Sequence, residues 1–228
     1  MLISNGRKTT TKTRVIADNK HQLRIDEEDT YPIKVENQFY NLIEKLTHNI
    51  DAIILQDYNK GVLTETIIEK IISLANSKNI PTIVDPKKQN FLSYKECTLF
   101  KPNLKEINEG LNTNPDINNF SEIEETTSKL RKIISAKAIL LTLSNKGIFL
   151  NTRNGSKIKE STTSNVIDVS GAGDTVVSVA AMCLACNIEF EELAILSNIA
   201  GGIVCEKVGV VPITNKELLD RAKKLLDV

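Results

Sequence analysis

The segment Asp168–Thr175 holds the residues of this sequence that are best suited to chemistry. It reads Asp-Val-Ser-Gly-Ala-Gly-Asp-Thr and leads directly into an apolar run. Gly171 and Gly173 allow a backbone to approach a ligand closely and to adopt positive φ. If the segment opens a helix, the N–H groups of residues 171–173 and the positive end of the helix dipole face an anion. Asp174 then brings a carboxylate next to that anion.

A carboxylate beside an anion cradle is suited to phosphoryl transfer. Backbone amides take up charge on the transferring phosphate, and the carboxylate orients or deprotonates the attacking hydroxyl. The alternative is that Asp174 only caps the helix, which leaves the small-residue loop and a second acid, Asp168, unexplained. The loop differs from G-x-x-x-x-G-K-[ST] and from G-x-G-x-x-G, so neither a P-loop nor a dinucleotide-binding fold is indicated. The two histidines, His21 and His48, lie outside such loops.

Composition narrows the class of partner. Among 228 residues, 29 basic side chains balance 29 acidic ones, which argues against a surface that binds nucleic acid by charge. Aromatic residues make up 4% and Trp is absent, which argues against a base-stacking platform. The sequence begins without the apolar core of a signal peptide, and its apolar runs are shorter than the roughly 18 residues of a membrane span. We therefore expect a cytoplasmic protein that acts on small molecules, with no nucleic acid and no membrane.

The pair Cys183 and Cys186 has the spacing of a redox or metal motif. It has no second C-x-x-C and no His at ligand spacing, and it lies in an apolar run. We therefore expect buried structural thiols.

Strands alternate with helices along most of the chain. Strands are predicted at 9–17 and 22–26, with a turn at Asp18–Asn19 between them, and at 52–55, 80–84, 98–100, 138–142 and 147–151. Helices are predicted at 35–49, 67–78, 121–135, 174–187, 191–206 and 215–226, with a surface loop at 112–119. The alternation predicts one α/β domain with a mostly parallel sheet covered on both faces. Ligands of such sheets bind at the carboxyl ends of the strands.

The segment Asp168–Thr175 resembles the C-terminal signature of the ribokinase-like (PfkB) carbohydrate kinases. Further segments resemble the same family in the same order, and most of all its branch of heptose 7-phosphate kinases, the kinase module of a bifunctional heptose kinase/adenylyltransferase. These segments are 10–17, 23–26, 57–63, 84–87, 102–106, 141–147 and 198–202. The resemblance implies a ribokinase-like three-layer sandwich, in which residues 36–228 form the α/β nucleotide-binding core and residues 1–30 form remnants of a small β lid.

The resemblance also implies an activity and roles for residues. The activity is ATP-dependent phosphorylation of heptose 7-phosphate at the 1-position, with Mg²⁺, in the synthesis of lipopolysaccharide precursors. Asp174 is then the base, and the amides of Gly171, Ala172 and Gly173 form the anion hole. Glu106 reaches the metal through water, since Mg²⁺ is usually held through few carboxylates. The nucleotide-binding residues implied are Asn103, Leu104, Lys105, Glu106, Ser144, Gly147, Asn198 and Gly202.

Substrate or phosphate contacts are implied at Lys60, Asp85, Lys87 and Arg14, with Arg24 as the alternative to Arg14. A plain structural alternative exists for several of these positions. Asn103 and Glu106 also fit a helix capping pair, Ser144 and Gly147 fit a simple turn, and Asn198 and Gly202 fit core packing. Lys60 is alternatively a solvated surface lysine.

The helix after Asp174 is apolar on all faces, so we expect it to be fully buried. The family's glycine-rich sugar-binding opening and the H-x-G-H site of the adenylyltransferase have no counterpart in this sequence. We therefore expect a truncated or split kinase that needs a homodimer or a missing N-terminal fragment. The alternative is a catalytically impaired fragment that acts only as a nucleotide-binding module.

Overall fold

The computed structural model describes residues 2–17, 20–163 and 165–226. The strands are β1 (Thr11–Ala17), β2 (Lys20–Glu27), β3 (Ile53–Gln56), β4 (Thr82–Asp85), β5 (Leu99–Phe100), β6 (Ala138–Thr142), β7 (Ile148–Thr152) and β8 (Gly155–Lys159). The helices are α1 (Glu36–Leu46), α2 (Glu65–Ser77), α3 (Leu104–Leu111), α4 (Phe120–Ile133), α5 (Ala172–Ala185), α6 (Phe190–Cys205) and α7 (Asn215–Leu226). Among these described residues, no helix is long and apolar enough to cross a bilayer.

A six-stranded sheet forms the middle layer, in the order β3-β4-β5-β6-β7-β8. Strands β3 to β6 pair in parallel, and β7 and β8 continue the sheet antiparallel. Helices cover both faces, so the predicted three-layer α/β sandwich with a mostly parallel sheet is confirmed. The parallel strands all end at one edge, where α3 and α5 begin close by.

The core lies on both faces of the sheet because successive strand residues point to opposite sides. In β4, Val84 packs against the face covered by α1 to α4, and Ile83 packs against the face covered by α5 and α6; both are fully buried. Helix α7 packs on α6 through Ala222. Such strands, apolar on both faces, are typical of parallel sheets between helical layers.

The first two strands form a separate antiparallel ribbon. Val15 pairs with Leu23 and Thr13 pairs with Ile25, so these side chains share one face. The apolar members of this face are 42–54% exposed, which leaves the face uncovered. On the other face Arg14 lies opposite Arg24.

Several local predictions differ from the structure. The predicted turn at Asp18–Asn19 falls outside the described residues. Helix α3 and strand β8 are not among the predicted elements. The sequence indicates only a capping pair, Asn103 and Glu106, at the start of α3, and β8 holds a single large apolar residue, Ile158.

The prediction that helix α5 is fully buried was wrong. The prediction that both Cys183 and Cys186 are buried was also wrong, because Cys186 is exposed. Asp174, Ser178, Met182 and Cys186 follow one another at intervals of four residues and are all exposed. Residues four apart lie on one side of a helix, so α5 has a solvent-facing stripe that its composition conceals. Cys183 lies on the opposite side and is buried, and burial raises the pKa of its thiol to about 11.

Candidate active site

Polar side chains meet where β3, β4 and β5 end. Gln56 closes β3, Asp85 closes β4, and Lys101 follows β5 directly. Asp85 and Lys101 are only 4% and 3% exposed, and Lys101 Nζ lies 3.0 Å from Asp85 Oδ1. A buried charge needs a partner, and here each group neutralises the other.

Gln56 connects this pair to the acid at the start of α5. Its Nε2 donates to Asp85 Oδ2 at 2.6 Å and to Asp174 Oδ1 at 3.3 Å. Asp174 belongs to the first turn of α5 and is exposed. Two carboxylates, one buried and one open to solvent, are therefore linked through one neutral amide.

The loop before α5 has the helix-opening form that its sequence predicts. Gly171 is the N-cap residue, with a left-handed φ of +81°. The amide of Ala172 donates to the Val169 carbonyl at 3.2 Å, so that member of the predicted anion hole already has an acceptor. The N–H groups of Gly173 and Asp174 belong to the first turn, where a helix supplies no acceptor. A Cβ atom added to Gly173 would lie 3.7 Å from Lys101 Nζ, so the buried ammonium lies behind this turn.

Asp168, the second acid of the motif, holds the loop in shape. Its carboxylate accepts from the backbone N–H of Ser170 at 2.9 Å and of Gly209 at 3.0 Å. These hydrogen bonds, first the one from Ser170, lower the pKa of Asp168. The carboxylate is thus ionised and occupied, which suits a structural role better than that of a base.

Asn103 and Glu106 form a capping box at the start of α3. The side-chain Oδ1 of Asn103 accepts a hydrogen bond from the backbone N–H of Glu106. In return, Oε2 of Glu106 accepts from the backbone N–H of Asn103, and both distances are 2.9 Å. Glu106 is 7% exposed, and its Oε1 pairs with Lys87 Nζ. Burial disfavours the charged lysine, but the hydrogen bond and the charge of Glu106 raise its pKa. The capping alternative is therefore confirmed, and the same carboxylate also pairs with Lys87 at the sheet edge.

These residues fit a magnesium ion held largely by water and phosphate. Within the described ranges, no three His, Cys, Asp or Glu side chains lie close enough to hold a metal by themselves. Mg²⁺ usually keeps several waters and takes one or two carboxylates together with substrate phosphates. Glu106, a buried carboxylate beside Lys87, is of the required kind.

The remaining nucleotide-side residues occupy two places. Ser144 is exposed in the 3₁₀ turn after β6, which lies beside α3 because Asn103 bridges to Thr142. Gly147 ends this turn with φ of +92°, and a Cβ there would overlap the Lys159 carbonyl oxygen. The turn therefore accounts for this glycine. Leu104 and Lys105 open α3, with Leu104 half-buried and Lys105 exposed.

Asn198 and Gly202 join α6 to the chain that follows β8. Asn198 is 8% exposed and donates to the Glu160 carbonyl at 2.6 Å. A Cβ on Gly202 would lie 2.7 Å from Thr162 Oγ1. Both residues serve the packing that was the alternative at these positions, and contact with a nucleotide stays a prediction for them.

Two predicted substrate residues lie outside the cluster. The ammonium of Lys60 pairs with Glu28, and the carbonyl of Lys60 accepts from Arg7, so this loop is attached to the segment beside the ribbon. Arg14 is exposed on β1. The structure brings Asp85, Lys87, Glu106 and residues 171–174 to one sheet edge, and leaves Lys60 and Arg14 apart.

Gln56, Lys101 and Tyr58 belong to the cluster but were missed from sequence. Tyr58 is 55% exposed, but partial desolvation raises the pKa of its hydroxyl, and the charges of Asp174 and Asp85 raise it further. The signal available was position, since all three residues come at or just after a parallel strand. A lysine or glutamine at such a position is, however, most often solvated.

Comparison with known proteins identifies the same family of carbohydrate kinases that the sequence motifs resemble. The model of the pfkB family of carbohydrate kinases matches residues 1–217. The Bifunctional protein HldE of Campylobacter jejuni is 39% identical over 218 residues, which are 95% of this chain and 46% of the relative. The chain thus spans about half the length of this curated relative.

Two solved structures share the fold at low sequence identity. Phosphofructokinase-2 from Escherichia coli, solved with potassium, gives a TM-score of 0.78 at 17% identity, over 96% of this chain and 71% of its own. A ribokinase from Arabidopsis thaliana, solved with ribose and ATP, gives a TM-score of 0.75 at 17% identity, over 96% and 70%.

Proposed function

Because the chain belongs to the pfkB family of carbohydrate kinases, we propose that it transfers the γ-phosphoryl group of ATP to a sugar hydroxyl. The observation that carries the proposal is the start of α5. There the exposed Asp174 carboxylate lies in the same helical turn as the N–H groups of Gly173 and Asp174. Phosphoryl transfer needs both an acceptor for the hydroxyl proton and donors for phosphate charge, and it needs them side by side.

The proposed substrate is heptose 7-phosphate, phosphorylated at the 1-position in the cytoplasm as a step toward lipopolysaccharide precursors. The support is the resemblance of several segments to the heptose 7-phosphate kinase branch of the family, in the same order along the chain. Identity of 39% to a Bifunctional protein HldE agrees with that branch. The substrate is the finer part of the proposal, and the choice of sugars in the assay addresses it.

Each group at the sheet edge has a part in this reaction. Asp174 accepts the proton of the attacking hydroxyl, and the backbone N–H groups of Gly173 and Asp174 stabilise negative charge on the phosphoryl oxygens. Lys101 adds a fixed positive charge behind that turn. Glu106 and Asn103 would hold Mg²⁺ through water, and the ion, when bound, neutralises phosphate charge. Lys87 is placed to contact phosphate beside Glu106.

A second candidate is a nucleotide-binding module without turnover. The observation in its favour is that Lys60 and Arg14, the predicted contacts to substrate phosphate, lie outside the cluster, with Lys60 paired to Glu28. On this alternative, ATP binds but a sugar phosphate is not held near Asp174.

We also propose that the working form is an assembly. The uncovered apolar face of the ribbon, with Val15, Leu23 and Ile25, suits a second copy of the same chain. Strand β3 offers a different surface, because among the described strands it pairs only with β4. An apolar cleft of about 550 Å³ lies along it, lined by Phe39, Ile43, Ile54 and neighbouring residues. This edge suits a further β-strand from polypeptide other than residues 1–228, and the exposed stripe of α5 lies on a helix that contacts β3.

The test is ADP release from ATP with heptose 7-phosphate, fructose 6-phosphate or ribose as acceptor. We expect turnover to be fastest with heptose 7-phosphate and to fall by about 10²-fold or more in Asp174→Asn, with ATP binding retained. Asp220→Asn, an exposed acid on α7, is the matched control and keeps full activity. ATP binding with no turnover on any sugar would favour the nucleotide-binding module, and equal rates in Asp174→Asn and wild type would remove Asp174 from the reaction.

A further inference from the structure

One uncharged side chain lies between the two carboxylates of the site. The amide nitrogen of Gln56 carries two hydrogens, and it is 2.6 Å from Asp85 Oδ2 and 3.3 Å from Asp174 Oδ1. The first distance is that of a short hydrogen bond, and the second is slightly beyond the usual range for N–H···O. The bridge is thus anchored firmly at Asp85 and more loosely at Asp174.

The anchored end is rigid for two reasons. The backbone N–H of Asp57 donates to the carbonyl of Asp85 at 3.0 Å, which fixes the end of β3 on the end of β4. Asp85 is itself held by Lys101: its buried Oδ1 has no hydrogen-bond donor among the described residues, and the ammonium 3.0 Å away neutralises it as an ion pair. Gln56 therefore extends from a support with little freedom to move.

The free end reaches only one oxygen of Asp174. In the ranges that the structure describes, no side chain donates a hydrogen bond to Asp174 Oδ2. An acid that is held through Oδ1 has lost rotational freedom, while Oδ2 stays available to a hydroxyl. Such an arrangement is what a general base requires, since the accepting oxygen must lie within hydrogen-bond reach of the proton.

We propose that Gln56 is a positioning residue, which orients the Asp174 carboxylate from the Asp85–Lys101 pair without placing a charge beside it. The inference rests on the proposed role of Asp174 as base. It adds a residue that the sequence motifs do not contain. It also means that the buried Asp85–Lys101 pair holds Gln56 in the position from which it orients Asp174.

Neutrality is the property that matters in this side chain. A carboxylate at position 56 would repel Asp174 and raise its pKa, and an ammonium would pair with it and weaken it as a base. The charged and titratable groups around the Gln56 bridge are Asp85, which accepts from Gln56, Lys101, which pairs with Asp85, and Tyr58, whose pKa is raised by its desolvation and then by the charges of Asp174 and Asp85. An amide can hold Asp174 among these groups and leave its charge unchanged.

The experiment compares Gln56→Leu and Gln56→Glu with wild type. Gln38→Leu, at an exposed position of α1, is the matched control. The first measurement is the ¹³C titration of the Asp174 carboxyl, assigned by the signal that Asp174→Asn lacks. The second is the pH dependence of kcat, with KM for ATP measured in parallel. Thermal melting confirms that each variant is folded.

In Gln56→Glu we expect the pKa of Asp174 to rise by about 1 unit or more, because a like charge has been added. The acid limb of the kcat profile then moves to higher pH by the same amount. In Gln56→Leu we expect a smaller rise, because a donor to the ionised form is lost, and a fall in kcat of about 10-fold or more with KM for ATP unchanged. A merely structural role for Gln56 would alter the melting temperature and leave the titration of Asp174 in place.

The outcomes separate this inference from the proposed function. An Asp174 titration that is the same in wild type, Gln56→Leu and Gln56→Glu overturns the inference, even if Asp174→Asn abolishes turnover. Shifted titrations in a protein that phosphorylates no sugar support the inference while the proposed function fails.

Discussion

Glu106 does two things at once, and they need different parts of its carboxyl group. One oxygen accepts from the Asn103 amide and starts α3, and the other pairs with Lys87 at the sheet edge. The first task needs only an acceptor, and the second needs charge. A glutamine can replace glutamate in a capping box, so the two tasks can be separated by one substitution.

We predict that Glu106→Gln keeps the fold and loses the response to magnesium. The amide oxygen preserves the cap, so the melting temperature stays close to that of wild type. Without the carboxylate, the Mg²⁺ concentration for half-maximal rate rises by about 10-fold or more. The measurement is initial rate against Mg²⁺ at fixed ATP.

The control for this prediction is Glu109→Gln, on the same helix. Among the described residues, the exposed Glu109 pairs only with Lys105, at 3.8 Å, so its loss has little effect. An equal magnesium response in Glu106→Gln and Glu109→Gln would contradict a role for Glu106 near the metal.

At the scale of elements, the loop before α5 has two glycines with different requirements. Gly171 has φ of +81°, and a Cβ on it would lie 3.2 Å from Val210 Cγ1. Gly173 has ordinary helical φ, and its added Cβ would meet Lys101 Nζ at 3.7 Å, a normal contact distance. Only the first position demands glycine for conformation.

We therefore predict that Gly171→Ala destabilises the protein by about 1–3 kcal/mol and that Gly173→Ala has a much smaller effect on stability. For a chain of this size that lowers Tm by about 2–4 °C per kcal/mol, measured by calorimetry. Gly173→Ala is the matched control, since it adds the same methyl group two residues away. A Tm that falls equally in both variants would show that crowding, and not backbone conformation, sets the cost.

The elements themselves follow from sequence to the extent that their pattern is local. Of the α-helices and strands that the structure describes, all but α3 and β8 are close to their predicted ranges, because apolar periodicity marks them. Strand β8 (Gly155–Lys159) is only marked by its pairing with β7. The exposed stripe of α5 through Ser178 and Met182 likewise depends on which neighbours cover the helix, and composition does not record that.

The residues of the candidate site also fall into two groups, those that sequence motifs reveal and those that only contacts between strands reveal. Asp174, Asn103 and Glu106 could be found because they lie in motifs that are contiguous in sequence. Gln56 and Lys101 could not, because their partners come from other strands and meet them only when the sheet has formed. Lys101 in particular is a lysine at a strand end, where solvation is the usual outcome, until Asp85 from the neighbouring strand makes burial possible.

At the scale of the whole molecule, the uncovered surfaces decide how the chain associates. We predict that wild type sediments as a dimer and that Leu23→Lys sediments as a monomer, because the charge lies on the apolar face of the ribbon. Leu219→Lys on α7 is the control, since Leu219 and Leu23 are 53% and 54% exposed. A dimer that persists in Leu23→Lys would place the contact elsewhere.

The reactivity of the exposed Cys186 tests, in the same samples, whether the exposed stripe of α5 is covered. It lies on the open stripe of α5, whereas Cys97 and Cys183 are buried. A dimer formed through the ribbon leaves Cys186 as reactive toward a thiol reagent as in the monomer. Slow labelling of Cys186 in the dimer would instead mean that another polypeptide covers α5.

The order of the strands has a consequence for how the protein is made. Within the six-stranded sheet, each strand from β4 to β8 lies beside the one that precedes it in the chain. During synthesis the sheet can therefore form one strand at a time, because the strand that each new strand pairs with has already been made. Pairing between strands that are close in sequence favours rapid folding. Among the described strands of this sheet, the edge strand β3 is made first, so its free side is exposed from the time it pairs with β4 until the sheet is complete.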